Sequence, residues 1–134
     1  MRKKLQPIKN LRKNVWDLNS EWVRRRGANF QGYNACFTCG KQEHWKEMNA
    51  GHYIHRDALD FEELNINPQC VRCNKWLSGN LGVYAARLIE VFGLKAFQKL
   101  EAKRYLIRKF SREELEKLKL YYQEKLKKVA RENN

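Results

Sequence analysis

Apolar residues recur at alternating spacings of three and four from Pro7 to Arg26, at Ile8, Leu11, Val15, Leu18 and Trp22. That period turns one stripe toward a core and predicts a helix over the stretch. Pro7 suits a first helical position, Arg24, Arg25 and Arg26 place cations at the negative end of the helix dipole, and Gly27 is a natural stop. The pattern then breaks. Residues 28–35 read as a loop, Met48–Ile54 as a short strand or hairpin arm with His52 near its middle, and Asp57–Asn67 as polar, turn-rich chain without prolonged regular structure. Ser78-Gly79-Asn80 supplies a turn and a helix cap, and a short helix over Leu81–Phe92 ends at Gly93. Residues 94–110 carry Leu94, Phe97, Leu100, Leu106 and Ile107 at largely helical spacing. Ser111-Arg112-Glu113-Glu114 is a capping box, opening a last helix with Leu115, Leu118, Tyr122, Leu126 and Val129 on one side. The apolar stripes of the first and last helices are core faces or the seam of a homodimer.

Charge sharpens this picture. The formal net charge is +13, and it is carried by the flanks. Residues 1–26 hold nine Lys/Arg against two acids and residues 81–134 hold fourteen against seven, whereas residues 27–80 hold five against six. Basic helices around a near-neutral centre suit a polyanion gripped over a site whose carboxylates hold a cation. A solvated lysine-rich surface is the plainer alternative. The 134 residues fit one domain: an N-terminal basic helix over 1–27, a central core over 28–80 and C-terminal basic helices over 81–134. Met1-Arg2-Lys3-Lys4 leads into mixed polar sequence unlike a signal peptide, and no stretch is apolar enough to span a bilayer. The expected location is therefore cytoplasmic, with no membrane partner.

Within that centre, Cys36-Phe37-Thr38-Cys39 and Cys70-Val71-Arg72-Cys73 form two Cys-x-x-Cys knuckles, which together complete one tetrahedral four-thiolate site for structural zinc. Disulfides are the alternative, disfavoured where thiols stay reduced. Thirty residues separate the knuckles, and that insert carries all three histidines.

Hydrolysis of a phosphodiester needs a base to activate water and a cation to stabilise developing charge. A neutral imidazole serves as a base near neutral pH, and His52 is the candidate. Asn74, directly after the last cysteine, can offer an amide oxygen to magnesium or manganese. The first knuckle, a histidine on a short strand, Asn65, and Cys-x-x-Cys-Asn to close resemble the zinc-containing HNH nucleases, whose shared core is a ββα-metal fold. More closely, Arg-Arg-Arg-Gly before the first knuckle, Cys36-Phe37-Thr38-Cys39-Gly40, Ala50-Gly51-His52-Tyr53, Asn65, Gln69-Cys70, Cys73-Asn74 and Ser78-Gly79-Asn80 resemble the NinG family, also called Rap. The match runs over roughly residues 21–93.

That resemblance implies a phage recombination nuclease of branched DNA such as junctions and D-loops. His52 would be the general base, Asn65 would orient the histidine or its loop, Asn74 would bind the catalytic ion, and the cysteines would hold zinc. The broader HNH pattern usually has an aspartate or histidine before the base to ligate the metal, whereas this chain has Gly51. The second protein ligand is therefore open among Glu47, His55, Asp57 and Asp60, with His55 and Asp57 favoured, and the inverse assignment, with His52 on the metal and His55 as base, stays open too.

Other residues take lesser roles. Arg24, Arg25, Arg26, Arg56, Arg72 and Lys75 are candidate phosphate contacts or solvated charges, and His44 is expected to be simply exposed. Trp45, Trp76, Tyr53 and Tyr84 are expected to pack around the metal-centred core, an exposed one being able to stack on an unpaired base. The expected architecture is a mainly helical α+β protein with a zinc-bound HNH core. Two rival functions stand beside the nuclease of branched DNA: a non-catalytic zinc module that binds nucleic acid in recombination, and a sequence-specific homing or restriction nuclease.

Overall fold

The structure, a computed structural model, describes residues 4–132. Its centre is a short antiparallel hairpin, β3 (Asn49–His52) with β4 (Ile66–Gln69), in the register Asn49↔Gln69 to His52↔Ile66. A second hairpin, β1 (Tyr33–Ala35) with β2 (Gln42–His44), encloses the first cysteine knuckle. Four helices surround these: α1 (Ile8–Arg25), α2 (Leu81–Phe92), α3 (Leu94–Ala102) and α4 (Arg112–Glu132).

Because side chains alternate along a strand, the central hairpin has two distinct faces. Ala50, Ile66 and His52 look toward α1, where Leu11, Val15, Trp22 and Val23 meet Leu115, Tyr122 and Val129 of α4. Gly51, Asn67 and Gln69 look the other way, toward α2, where Tyr84 and Leu88 pack with Tyr53, Ile54, Leu59 and Leu100. The stripes of α1 and α4 thus bury each other within one chain, and a two-fold seam would have to use another surface. Among the described residues, no helix is long and apolar enough to cross a membrane.

The capping box at Ser111 is formed as expected: Glu114 N–H donates to Ser111 Oγ at 3.1 Å, and Ser111 N–H donates to Glu114 Oε1 at 3.1 Å. Gly27 and Gly93 end α1 and α2 at φ +79° and +93°. Other elements depart from expectation. The helical spacing in residues 94–110 extends as helix only to Ala102; beyond it Tyr105 and Ile107 are exposed, while Phe110 meets Phe61 edge-on at 5.2 Å. Asn80 sits at φ +50° and makes no side-chain cap; its amide instead points at Cys73 Sγ, 3.7 Å away. Within the stretch read as turn-rich, two single-turn 3-10 segments form at Asp57–Leu59 and Glu63–Asn65, and β4 begins at Ile66.

β4 is unusual in being wholly buried while reading Ile-Asn-Pro-Gln. Its polar side chains are largely satisfied, Gln69 Oε1 being the atom of β4 left buried without a partner among the described residues. Asn67 Nδ2 donates to Leu64 O and Tyr84 Oη, and its Oδ1 accepts from Arg26. Gln69 Nε2 donates to Thr38 Oγ1 and Gly79 O. Gly51, diagonal to Gln69 across the hairpin, is required because a Cβ there would overlap the Gln69 side chain.

Candidate functional site

At one end of the central hairpin the four cysteine sulfurs lie within 4.8 Å of one another. Cys36, Cys70 and Cys73 are buried and none is in a disulfide. Four sulfurs about 2.3 Å from a zinc ion stand about 3.8 Å apart, and Cys39 Sγ to Cys70 Sγ is 3.7 Å. Polar groups already face the sulfurs: the Thr38 hydroxyl approaches Cys36 at 3.3 Å and the Cys73 N–H donates to Cys70 Sγ at 3.4 Å. Burial pushes the Cys36 thiol up, but backbone N–H groups and Thr38 outweigh it and bring it down to about 6. Burial, with the neighbouring sulfurs, pushes Cys70 up to about 12. A bound dication would favour the thiolate form of these side chains. The donor set therefore fits a metal such as zinc.

The opposite end of the hairpin carries His52, paired with Ile66, which lies four residues, or roughly 13 Å along β4, before Cys70. Here the site is open. A cleft is lined by Lys9, Arg12, Lys13 and Trp16 from one face of α1, by His52, and by His55, Arg56, Asp57 and Asp60 from the segment after β3. His52 Nε2 lies 2.8 Å from Asp60 Oδ1, and Asp60 Oδ2 accepts from Arg12 Nη2 at 2.7 Å. Arg12 is itself fixed, donating to Asp57 O at 2.9 Å and lying over the rings of Phe61 and Phe110. The imidazole is stacked between Trp16, centroid distance 5.0 Å, and His55, 5.3 Å. With the Nε2 proton held on the carboxylate, Nδ1 carries the lone pair.

Asn65 is fully buried beneath this segment. Its side chain accepts from Ile54 N–H at 2.8 Å and donates to Ile54 O and Leu59 O. These bonds tie Asn65 to the chain that carries His55, Asp57 and Asp60. Asn19, buried on α1, adds a donor to Asp60 O at 3.1 Å. Burial pushes His55 below its ordinary value, helped by the neighbouring His52 and opposed by Asp60.

The expected residues are brought together only in part. His52, His55, Arg56 and Asp57 share the cleft. Asn74 is not among its lining residues; it lies in the turn Arg72–Trp76 that follows the Cys70 end of the hairpin. The room that a metal ligand at position 51 would need is filled by Gln69. Asp60, one of the candidates for the second metal ligand, is the carboxylate that meets His52, and the favoured Asp57 lines the same cleft. Arg12 and Trp16 escaped notice because they come from a helix about forty residues upstream; the signal available was that Lys9, Arg12, Lys13 and Trp16 share one helical face. The triple arginine is largely engaged within the chain. Arg26 Nη2 donates to Ile66 O at 2.7 Å, Arg25 pairs with Glu21 at 3.1 Å, and Arg24 and Arg25 both lie over Trp45. Arg72 and Lys75 are exposed. For a hydrated dication, which needs only one or two carboxylates from protein, the cleft offers the exposed Asp57; both Asp60 oxygens are engaged.

A basic α+β chain in which one hairpin carries a four-cysteine cluster at one end and an open cleft against a basic helix at the other is the class that these features define. The model of a family described as the Bacteriophage Lambda NinG protein matches residues 1–132. The chain belongs to the NinG family. It is 40% identical over 97 residues to Protein ninG of Salmonella phage P22, covering 69% of this chain and 46% of that protein. To Protein ninG of Escherichia phage lambda it is 39% identical over 95 residues, with the same two shares. The chain thus spans about half the length of the curated relatives it matches. No solved structure matches.

Proposed function

We propose that the chain is a metal-dependent DNA endonuclease of the HNH type, acting on branched DNA in phage recombination. The observation that carries this reading is the His52–Asp60–Arg12 chain of contacts, 2.8 and 2.7 Å, set in an open cleft lined by Lys9, Lys13 and Arg56. A histidine fixed by a carboxylate and left with one free ring nitrogen is the arrangement a general base requires. In this reading water attacks phosphorus, His52 Nδ1 takes its proton, and the bond from phosphorus to the 3′ oxygen breaks, the leaving oxygen taking a proton from solvent. Asp60 fixes the tautomer and balances the imidazolium that forms. A magnesium or manganese ion held through Asp57 would stabilise charge on the phosphate and the leaving oxygen. Lys9, Lys13 and Arg56 hold the strand by its phosphates, without reading sequence.

The test compares a four-way junction, a flap and a linear duplex of matched sequence, in magnesium at one salt concentration. Cleavage of the branched substrates well above the duplex is expected. No cleavage of any of them overturns the enzyme reading, and sequence-dependent cutting of the duplex replaces it with a restriction-type activity. Binding to duplex should fall with salt at a logarithmic slope of about −0.9 per phosphate neutralised, and a flat response would remove the basic cleft as the grip.

A further inference from the structure

The turn that carries Cys73 ends in Trp76, whose side chain is 80% exposed. Large aromatic side chains seldom stand so far into water, and this residue was expected to pack. It does not stand on a loose loop: Asn74 N–H donates to Cys70 O, Leu77 N–H to Arg72 O and Gly79 N–H to Cys73 O, so both ends of the turn are tied to the cysteine cluster. Around it, Val71 and Leu77 are 38% and 42% exposed. Arg72 and Lys75 flank it and make no ion pair among the described residues. Trp76 and Arg72 form one wall of a groove whose other wall is β2 and Tyr33, itself 46% exposed, with Lys41 beside it. Two acids, Glu43 and Glu47, also line this groove, and Glu43 is paired with Lys41 at 2.9 Å.

We propose that Trp76 is a stacking platform for an unpaired nucleobase, with Arg72 and Lys75 on the phosphates either side of it. The chemistry singles out this occupant. A rigid π face flanked by unpaired cations matches a flat base on an anionic backbone, since every base has a face to stack and the cations meet the strand. A purely apolar partner would leave Arg72 and Lys75 desolvated and unpaired, which is costly. Bases in an intact duplex are already stacked, so this contact is available only where pairing is broken, as at a branch point, gap or bubble. The platform rests on the reading of the chain as acting on branched DNA, and it makes Trp76 the residue that separates branched from linear substrates.

Binding is measured with the zinc-loaded full chain carrying His52→Ala, so the outcome does not depend on cleavage. The probes are a linear duplex, the same duplex with a short unpaired bubble, and a four-way junction, with 2-aminopurine at an unpaired position of the bubble. Trp76→Ala should weaken bubble binding about 5- to 100-fold, leave duplex binding within about twofold, and abolish the change in 2-aminopurine fluorescence. Trp76→Phe should keep most of the discrimination, and Trp76→Leu, which keeps apolar bulk without a π face, should lose it. Equal weakening of all three probes, unchanged discrimination in Trp76→Ala, or full retention by Trp76→Leu each overturns the platform. Zinc content and the thermal melt of each variant report that the fold is intact. Absence of cleavage by the wild-type chain would instead count against the nuclease reading and leave this binding result standing.

Discussion

At the Cys70 end of the central hairpin three of four sulfurs are buried, and hydroxyl, amide and N–H groups face them at 3.3 to 3.7 Å. At the His52 end, some four residues away, the polar groups stand around an open cleft, and the histidine keeps one ring nitrogen unengaged. The sulfurs of the first arrangement are spent on one another, so that end meets a substrate only through the surface of its turn; the second has little with which to hold a fold together. A small chain benefits from such a separation, because a staple that must not move and a site that must admit a phosphodiester make opposite demands on burial. The hairpin couples them by being rigid, with Asn67 and Gln69 bonded across its buried face and Asn65 beneath the loop that follows.

The sharpest way to break this division is to remove the staple. Structural zinc contributes about 10–16 kcal/mol in small zinc domains, comparable to the whole stability of an ordinary domain. Strong chelation, or Cys73→Ser, should therefore abolish the cooperative melt followed by circular dichroism. If the melt survives with the metal gone, the cysteine cluster does not hold the fold. Next comes Asn65→Ala, which leaves Ile54 N–H and O and Leu59 O without their partner. A loss of about 2–4 kcal/mol is expected in urea titration, and a loss under 1 kcal/mol would mean that the loop is held otherwise. Gly51→Ala follows at about 1–3 kcal/mol, since the added methyl collides with the buried Gln69 side chain. Gln69→Ala should relieve most of that cost in the double variant; simple additivity would contradict the packing described.

The smallest effect is one of pH. Burial holds His55 below its usual value, so its contribution to stability is fully present above about pH 6.5 and is lost as pH falls through its lowered folded value. Melting temperatures measured from pH 8 to pH 5 should fall less steeply in His55→Gln than in the wild type. Parallel curves would remove His55 as a source of the acid sensitivity.

What could be read from the sequence follows the range of the physics involved. The knuckles, the α1 stripe and the Ser111 capping box are local patterns, complete within a few residues, and all three are present. β4 is hard to see because Ile-Asn-Pro-Gln looks like a turn when its partners are out of sight; Tyr84, Thr38 and Arg26, which bond the amides of Asn67 and Gln69, lie between 17 and 41 residues away. The cleft was half legible for the same reason. His52, His55, Arg56 and Asp57 are neighbours in sequence, whereas Arg12 and Trp16 reach them only because α1 packs across the hairpin. The Arg24–Arg26 run misled in the other direction: clustered cations suggest a phosphate grip, but Trp45, Glu21 and the Ile66 carbonyl absorb them. Trp76 carried no sign in sequence of being exposed.

One side-by-side measurement bears on the central claim most directly: cleavage of a four-way junction in magnesium by the zinc-loaded wild type and by His52→Ala, with zinc content and melting temperature recorded for both. The expected result is a loss of cleavage of about 10²- to 10⁴-fold with bound zinc unchanged and the melt shifted by no more than a few degrees. Equal cleavage by the two proteins, or a His52→Ala chain that loses its zinc and its melt together, would contradict the assignment of chemistry to one end of the hairpin and support to the other.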